Sequence, residues 1–172
     1  PGKAPKTYIK GCECVRRDFA PIVKKTQLAV IDCLLRNDVV GAKALITKTF
    51  DDVYAGKVPL EDLTLTRKLT QLPERYKSKM PHVELAKRLG SQYVPGDRVE
   101  FLIRAGPEDL NQRAIAPSEV GEYVVDYHYY ADRQLRKPLT RIMELVTNEN
   151  LFKERRVSAP MTDAGIVRFF TR

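Results

Sequence analysis

The sequence has few of the residues that build metal centres. It contains three cysteines, Cys12, Cys14 and Cys33, without a Cys-x-x-Cys pair, and two histidines, His82 and His128, that lie far apart. A structural zinc site needs four well-spaced ligands, so we exclude one. The odd number of cysteines fits a reduced compartment inside the cell, where disulfides are rare.

Long apolar runs and catalytic signatures are also absent from the sequence. No segment approaches the roughly 18–20 apolar residues of a membrane span, and we expect no signal peptide. There is no phosphate-binding glycine-rich loop, no His-Glu-x-x-His, no Gly-x-Ser-x-Gly and no Ser-His-Asp arrangement. Adjacent side chains on a helix point about 100° apart, so Asp51 and Asp52 do not converge on a metal. We therefore expect no catalytic residue and no metal ligand in this chain.

What the sequence does contain is typical of a folded, basic protein. Its 172 residues are 43% hydrophobic and 30% charged, which is enough for a core in about one domain to one and a half. The 30 lysines and arginines outweigh 22 acids and give a net charge of +8, which favours a polyanionic partner. Nucleic acid is the first candidate and an anionic membrane surface the second. Because the sequence begins Pro-Gly-Lys, we expect it to be a piece of a longer protein.

Periodicity and capping signals predict two helices in the first third of the chain. The first covers residues 18–37, with Asp18 as its N-cap. The second covers residues 40–54 and ends before Gly56, a typical C-terminal signal. The apolar stripe of the first helix is predicted at Ile22, Leu28, Ile31, Leu34 and Leu35.

The remaining sequence predicts a small sheet between helices. The segments DLTLTRKLT and GDRVEFLIRAG are typical of strands, and the segment PHVELAKRLG between them predicts a short helix. A loop rich in proline and glycine follows the second strand. Asp126 then caps a long helix, which Pro138 should kink or split. The predicted fold class is α+β and mainly helical.

Five segments occur in an order that carries more information than any one of them. They are YIKGCECVRRD, LTLTRKLT, RYKSKMPHVELAKRLG, PGDRVEFLI and DYHYYADRQLRKPLTRI, over about residues 8–142. Together they resemble the thumb and C-terminal segment of family B DNA polymerases of the eukaryotic delta-like or large-DNA-virus type. The resemblance implies a thumb subdomain with a helical base and a small strand-containing tip. It implies part of a DNA-directed DNA polymerase, a nucleotidyltransferase, at an intracellular site in the nucleus or a viral replication site.

The resemblance also implies a division of the chain and a set of partners. Residues 1–17 would be the palm-to-thumb connection, residues 18–146 the thumb, and residues 147–172 a C-terminal linker and tail. The partners would be double-stranded primer–template DNA and the rest of the polymerase chain, with no membrane. We expect the aspartates that bind Mg²⁺ in the parent active site to lie outside this chain, which itself binds no cofactor.

DNA contacts are implied where the polymerase segments carry basic or small residues. These positions are Lys10, Gly11, Arg17, Lys68, Lys77, Lys79, His82, Arg98, Arg133 and Lys137. The composition agrees, because residues 67–104 hold nine lysines and arginines against four acids. Basic groups on strands and turns can follow phosphates without reading bases.

Some of these residues have structural alternatives. One of Arg16 and Arg17 is expected to pair with Glu13 or Asp18 instead of facing DNA. His82 either contacts DNA or caps and packs against the fold. The tyrosines of the last helix either stack on bases or belong to the core; these are Tyr127, Tyr129 and Tyr130.

The end of the chain resembles the box that binds sliding clamps, Gln-x-x-aliphatic-x-x-aromatic-aromatic. Ile166, Phe169 and Phe170 have its spacing, with Asp163 at the position of the glutamine. We expect these three side chains to bind a sliding clamp or processivity factor. The alternative is a tail that packs back on its own domain.

Two other classes of protein fit the same charge pattern. A free-standing duplex nucleic-acid-binding replication accessory protein without catalysis would lack palm aspartates upstream. A basic protein–protein adaptor would show no salt-dependent binding to duplex DNA.

Overall fold

The computed structural model describes residue 16, residues 18–90 and residues 93–147. This part of the chain is mostly helical with one small antiparallel sheet, which confirms the predicted α+β class. None of its helices is long and apolar enough to cross a membrane. In chain order the main elements are α1 (Pro21–Leu35), α2 (Val39–Tyr54), α3 (Leu60–Leu63), β1 (Leu65–Lys68), α4 (Pro81–Leu89), β2 (Arg98–Ile103), β3 (Ala114–Ile115), α5 (Tyr127–Tyr129), a π segment (Tyr130–Leu135) and α6 (Arg136–Thr147). Short 3₁₀ turns lie at Pro73–Arg75, Leu110–Gln112 and Pro117–Glu119.

The first helix starts later than the sequence predicts. It begins at Pro21, whose fixed φ and missing N–H suit the first position of a helix. The predicted N-cap at Asp18 is wrong, because its carboxylate instead accepts two hydrogen bonds from Arg16, at 3.0 and 2.7 Å. The N-cap residue is Ala20, whose amide donates to Oε1 of Gln134 (3.1 Å). This bond ties the start of α1 to the C-terminal helices.

The buried face of α1 also differs from the predicted stripe. Ile22 is buried as predicted, but Leu28 and Leu35 are exposed, at 38% and 69%. The buried positions are Ile22, Val23, Thr26, Gln27 and Val30. Since this face includes two polar residues, an apolar pattern alone places it about one residue away from its true position.

The second helix agrees with its prediction. Asp38 is the N-cap, and its side chain accepts a hydrogen bond from the Gly41 amide (2.7 Å). Past its end, Gly56 has a φ of +66°, a conformation that favours glycine. The short connection makes α1 and α2 an αα-hairpin. The buried residues of α2 are Ala42, Ile46, Phe50 and Val53.

The sheet has the strand order β1-β2-β3, and both pairs are antiparallel. Leu65 lies opposite Phe101 at one end of the β1–β2 ladder, and Lys68 lies opposite Arg98 at the other. α4 packs against β2 and β3 and ends, as predicted, before Gly90. The apolar end of the ladder is thus covered, and its basic end is left at the surface.

The helix after Asp126 is not split at Pro138: it continues from Tyr127 to Thr147, with π geometry over Tyr130–Leu135 and Pro138 inside α6. Asp126 caps it, since its Oδ1 accepts a hydrogen bond from the Tyr129 amide (2.9 Å). The π segment follows the single turn of α5 and leads into α6. Pro138 has no N–H, so the carbonyl of Gln134 loses its usual helical donor. The wider turns of the π segment directly precede this point.

A buried tyrosine joins the helices to the sheet. The side chain of Tyr130 is fully buried, and its hydroxyl accepts a hydrogen bond from the Ile103 amide (3.1 Å). Burial raises the pKa of this phenol, which stays protonated. The surrounding hydrophobic cluster takes residues from α1, α2, α4, β2 and α6, so helices and sheet share one core.

Candidate nucleic-acid interface

The basic run at residues 67–104 divides into two sets in the structure. Four of its nine lysines and arginines have a carboxylate partner, which matches their charge locally. The pairs are Arg67 with Asp18 (3.9 Å), Lys87 with Glu84 (3.3 Å), Arg88 with Glu119, and Arg104 with Glu108 (2.8 Å).

The contacts of the Arg88 guanidinium show that a paired member of the basic run stabilises the fold. Its Nη2 donates to Oε2 of Glu119 (2.7 Å) and to the carbonyl of Ala114 (3.3 Å), and its Nη1 donates to Oε1 of Glu119. The same carboxylate accepts a hydrogen bond from the Ala116 amide (2.7 Å). The hydrogen bonds from Arg88 lower the pKa of Glu119, which stays ionised. Arg88 thus fastens the loop after β3 to α4.

The other five basic residues of the run are exposed. None of them forms an ion pair with any other residue that the structure describes. They are Lys68, Arg75, Lys77, Lys79 and Arg98.

Two of the unpaired charges face each other across the sheet. Lys68 and Arg98 are directly opposite at the end of the β1–β2 ladder. Opposite residues on one face have Cβ atoms about 4.5–5.5 Å apart, and like charges there destabilise the pairing. Glu100 lies two residues farther along β2, yet no ion pair joins it to either charge within the described part of the chain. A bound anion between the two side chains would relieve their repulsion.

Two further lysines lie in the segment attached to this end of the sheet. Lys77 and Lys79 follow Tyr76 in a stretch without regular secondary structure. The Tyr76 hydroxyl accepts a hydrogen bond from the amide of Thr70 (2.7 Å), two residues beyond the end of β1. The structure therefore brings together the segments that carry four predicted contacts. We call these the sheet-end group: Lys68, Lys77, Lys79 and Arg98.

The two predicted contacts on the C-terminal helices lie elsewhere. Arg133 and Lys137 are exposed and have no ion pair among the described residues. Their helices start where the Asp126 amide donates to the carbonyl of Ile103 (2.8 Å), at the opposite end of β2 from Arg98. A strand of this length separates its ends by about 17 Å. These two side chains lie four residues apart on the C-terminal helices and form a second group, on different elements from the sheet-end group.

The structure places His82 inside the fold. Its side chain is 7% exposed, and its ring stacks on Phe101 with centroids 6.2 Å apart. Burial, with a smaller effect from nearby Arg67, lowers the pKa of His82 to about 4. The ring is therefore neutral at pH 7 and offers no positive charge to a phosphate. Of its two alternatives, packing is the one that these observations favour.

The tyrosines of the last helix also lie against the core. Tyr130 is buried, and Tyr127 and Tyr129 are partly buried against the hydrophobic cluster. The Tyr129 hydroxyl accepts a hydrogen bond from Nε2 of Gln134 (3.0 Å). These contacts favour the core alternative over base stacking.

Comparison with known proteins decides the family. A sequence profile of DNA polymerase family B matches residues 1–146. The chain belongs to the family B DNA polymerases. Among curated relatives, it is 39% identical over 145 residues to a DNA polymerase of Methanocaldococcus jannaschii, covering 82% of this chain and 9% of that protein. It is 33% identical over 187 residues to the DNA polymerase delta catalytic subunit of Candida albicans, covering 98% of this chain and 18% of that protein.

A solved family B polymerase has a similar fold. The structure of the family B DNA polymerase from the hyperthermophilic archaeon Pyrobaculum calidifontis matches with a TM-score of 0.66 and 28% identity. The match covers 75% of this chain and 18% of that one. The family resemblance of the sequence is confirmed, and the chain spans less than a fifth of the length of these relatives.

Several predicted site residues of this family B chain lie outside the described residues. They are Lys10, Gly11, Arg17, Ile166, Phe169 and Phe170. The neighbouring Arg16 is described, and its Nη2 lies 2.7 Å from Oδ2 of Asp18. The prediction that one of the two arginines pairs with Glu13 or Asp18 is confirmed for Arg16.

Two features of this family B chain were missed by sequence reasoning. Arg75 belongs to the basic run and is exposed and unpaired in the described part, yet it was not included among the predicted contacts. The hydrogen bond from the Thr70 amide to the Tyr76 hydroxyl has no sequence signal beyond a tyrosine beside lysines.

No three His, Cys, Asp or Glu side chains within residues 16, 18–90 and 93–147 form a group that could hold a metal ion.

Proposed function

We propose that this chain is the thumb of a family B DNA polymerase and holds the primer–template duplex through its backbone phosphates. The observation that carries the proposal is the sheet-end group. Its Lys68 and Arg98 are exposed like charges directly opposite each other, without a carboxylate partner among the described residues. Two adjacent uncompensated cations are costly in isolation and favourable beside a polyanion.

The chemistry of these contacts suits a polymerase. Lysine and arginine side chains that meet phosphates fix the position of a duplex and carry no sequence information. A product duplex of any sequence would therefore be held equally well. The second group, Arg133 and Lys137, lies on the C-terminal helices, whose start is hydrogen-bonded to the end of β2 opposite Arg98. We propose that a single duplex contacts both groups.

Catalysis is assigned to the remainder of the polymerase. Phosphoryl transfer in such enzymes uses divalent metal ions such as Mg²⁺. The described residues do not fit this role, because they contain no cluster of metal-binding side chains. The proposed role of this chain is to keep the duplex behind the active site and so to support processivity.

A pair of matched double variants tests the proposal. Lys68→Glu with Arg98→Glu should weaken binding of a labelled 20-base-pair duplex by about 10- to 100-fold at low salt, equally for unrelated sequences. Lys77→Glu with Lys79→Glu should also weaken binding of the duplex. The control is Lys24→Glu with Lys48→Glu, which changes the net charge equally at exposed positions on α1 and α2. Fluorescence anisotropy on the full chain measures each dissociation constant.

The control variant shows whether the duplex binds through the sheet-end group or is attracted only by the net charge of the chain. If the control and the two sheet-end variants weaken binding to the same extent, net charge and not the sheet-end group attracts the duplex. If the sheet-end variants bind as the unaltered chain does, the duplex-holding role is wrong.

We also propose that the tail docks on a sliding clamp through Ile166, Phe169 and Phe170. The spacing of the three side chains and their place at the end of a polar segment support this. The full chain should bind a purified sliding clamp with a dissociation constant of about micromolar order. Phe169→Ala with Phe170→Ala should abolish this binding, and equal binding by both chains would contradict the proposal.

The rival class is a free-standing duplex-binding accessory protein. The profile match over residues 1–146 favours the polymerase. Sequencing the reading frame upstream distinguishes the two, because only the polymerase would carry the aspartates of a palm domain there.

A further inference from the structure

We propose that the Tyr76 hydroxyl is a positioning group that holds residues 77–79 against the end of β1, so that their lysines and the Lys68–Arg98 pair engage one duplex together. The inference rests on the proposed duplex binding. It goes further by naming the side chain that joins the two halves of the sheet-end group.

The hydroxyl is bound at a point that the sheet already fixes. Tyr76 Oη accepts a hydrogen bond from the Thr70 amide (2.7 Å) and lies 3.0 Å from Thr70 Oγ1. The residue before Thr70 is Leu69, which is fully buried. Leu69 also exchanges backbone hydrogen bonds with the β2 side of the turn, donating to the Asp97 carbonyl and accepting from the Gly96 amide, both at 2.8 Å. Tyr76 is thus attached to the end of the ladder that carries Lys68 and Arg98.

The ring of Tyr76 is held separately from its hydroxyl. It packs partly buried against the core and meets the His82 ring edge-on, with centroids 6.4 Å apart. His82 in turn stacks on Phe101 of β2. Removing the hydroxyl alone therefore leaves these aromatic contacts in place, and its effect can be measured apart from loss of the ring.

The segment that follows Tyr76 has few other attachments. No hydrogen bond from Lys77, Ser78 or Lys79 to another part of the described chain is present. The next fixed residue is Met80, which packs against the core and precedes α4. The direction in which the two lysines leave the fold is therefore set at one end by the bond from Tyr76 to Thr70.

The test is Tyr76→Phe in the full chain, measured by duplex binding across a series of salt concentrations. Affinity for a 20-base-pair duplex should fall about 3- to 10-fold at low salt. The slope of log K against log salt should become shallower by about 0.9 to 1.8, which is the loss of one or two phosphate contacts. Tyr123→Phe is the matched control, since Tyr123 is exposed and its hydroxyl makes no hydrogen bond within the described residues.

A second comparison separates positioning from a general structural effect. If Tyr76 acts through the two lysines, Tyr76→Phe should add little to a chain that already carries Lys77→Gln and Lys79→Gln. Thr70→Val offers a milder change in the same direction if Tyr76→Phe fails to fold. It removes the 3.0 Å contact and keeps the amide.

Three outcomes are informative in different ways. The inference is supported if Tyr76→Phe makes the slope shallower in the unaltered chain but does not change the slope of the chain that carries Lys77→Gln and Lys79→Gln. An unchanged slope overturns the inference. A loss of duplex affinity that adds fully to the loss caused by Lys77→Gln with Lys79→Gln overturns it as well. Neither result contradicts the proposed duplex binding. A chain that shows no salt-dependent duplex binding before any substitution overturns the proposed function itself.

Discussion

His82 makes the stability of this chain depend on pH in the acid range. The ring is buried between Phe101 and Tyr76, and burial lowers its pKa from 6.5 to about 4, with a smaller contribution from Arg67. In the unfolded chain the same group has its ordinary pKa. Between these two values the unfolded state binds a proton that the folded state does not.

The direction and size of the effect follow from this difference. The free energy of unfolding should fall as the pH decreases from about 6.5 to about 4, because protons stabilise the unfolded state in that window. The interval between the two pKa values corresponds to a loss of up to about 3 kcal/mol, complete below the lower value. Above pH 7 the histidine contributes no pH dependence.

His82→Phe isolates this contribution. Phenylalanine keeps an aromatic ring against Phe101 and removes the titrating group. Urea denaturation of both chains at pH 7, 5.5 and 4 gives the free energy of unfolding. From pH 7 to pH 4 the difference between the chains should shift by about 2–3 kcal/mol in favour of the variant. Carboxylates titrate in both chains and cancel. Parallel pH profiles would refute the assignment of His82 as a buried neutral ring.

Three further substitutions test the contacts that join the helices to the sheet. Tyr130→Phe leaves the buried Ile103 amide without its acceptor and should cost about 1–3 kcal/mol in urea denaturation. Asp126→Ala removes the cap of the Tyr129 amide and also the carboxylate that accepts from Arg113 Nη1 (2.6 Å), so it should cost more than the about 1–2 kcal/mol of a cap alone by the same measurement. Gly56→Ala, at a φ of +66°, should lower stability by about 1–2 kcal/mol and the melting temperature by several degrees.

Elements whose burial follows from local sequence were predictable. α2 carries apolar residues on one face and ends before Gly56, so its periodicity and its C-terminal signal agree with the structure, whereas its N-cap Asp38 was not predicted. The buried face of α1 was not predictable in the same way, because it contains Thr26 and Gln27. Polar residues are buried when distant parts of the chain provide partners, and a helical pattern does not contain that information.

The candidate site shows the same limit. The excess of basic residues over residues 67–104 is visible in the sequence, and the resemblance to polymerases gives it a meaning. Which of those charges are already matched depends on pairs that are far apart along the chain. Arg88 meets Glu119, and Arg67 meets Asp18, only because the fold brings them together. The structure thereby reduces a long basic run to a few unpaired side chains.

For His82, the family resemblance predicts a DNA contact, whereas the structure shows a buried side chain. The resemblance places it among DNA contacts because it lies in the segment RYKSKMPHVELAKRLG. Its burial depends on the ring of Phe101, which belongs to a strand later in the chain. The position of a residue in such a segment indicates that the segment lies near DNA. Whether the side chain can reach a phosphate depends on its exposure.

The salt dependence of duplex binding tests most directly whether this chain holds DNA through phosphates. With four to six phosphate contacts, log K for the full chain should fall with log salt at a slope of about −4 to −5. Lys68→Glu with Arg98→Glu should make that slope shallower by about 2. A slope near zero for the unaltered chain, or a slope that the double variant leaves unchanged, would contradict the proposed role.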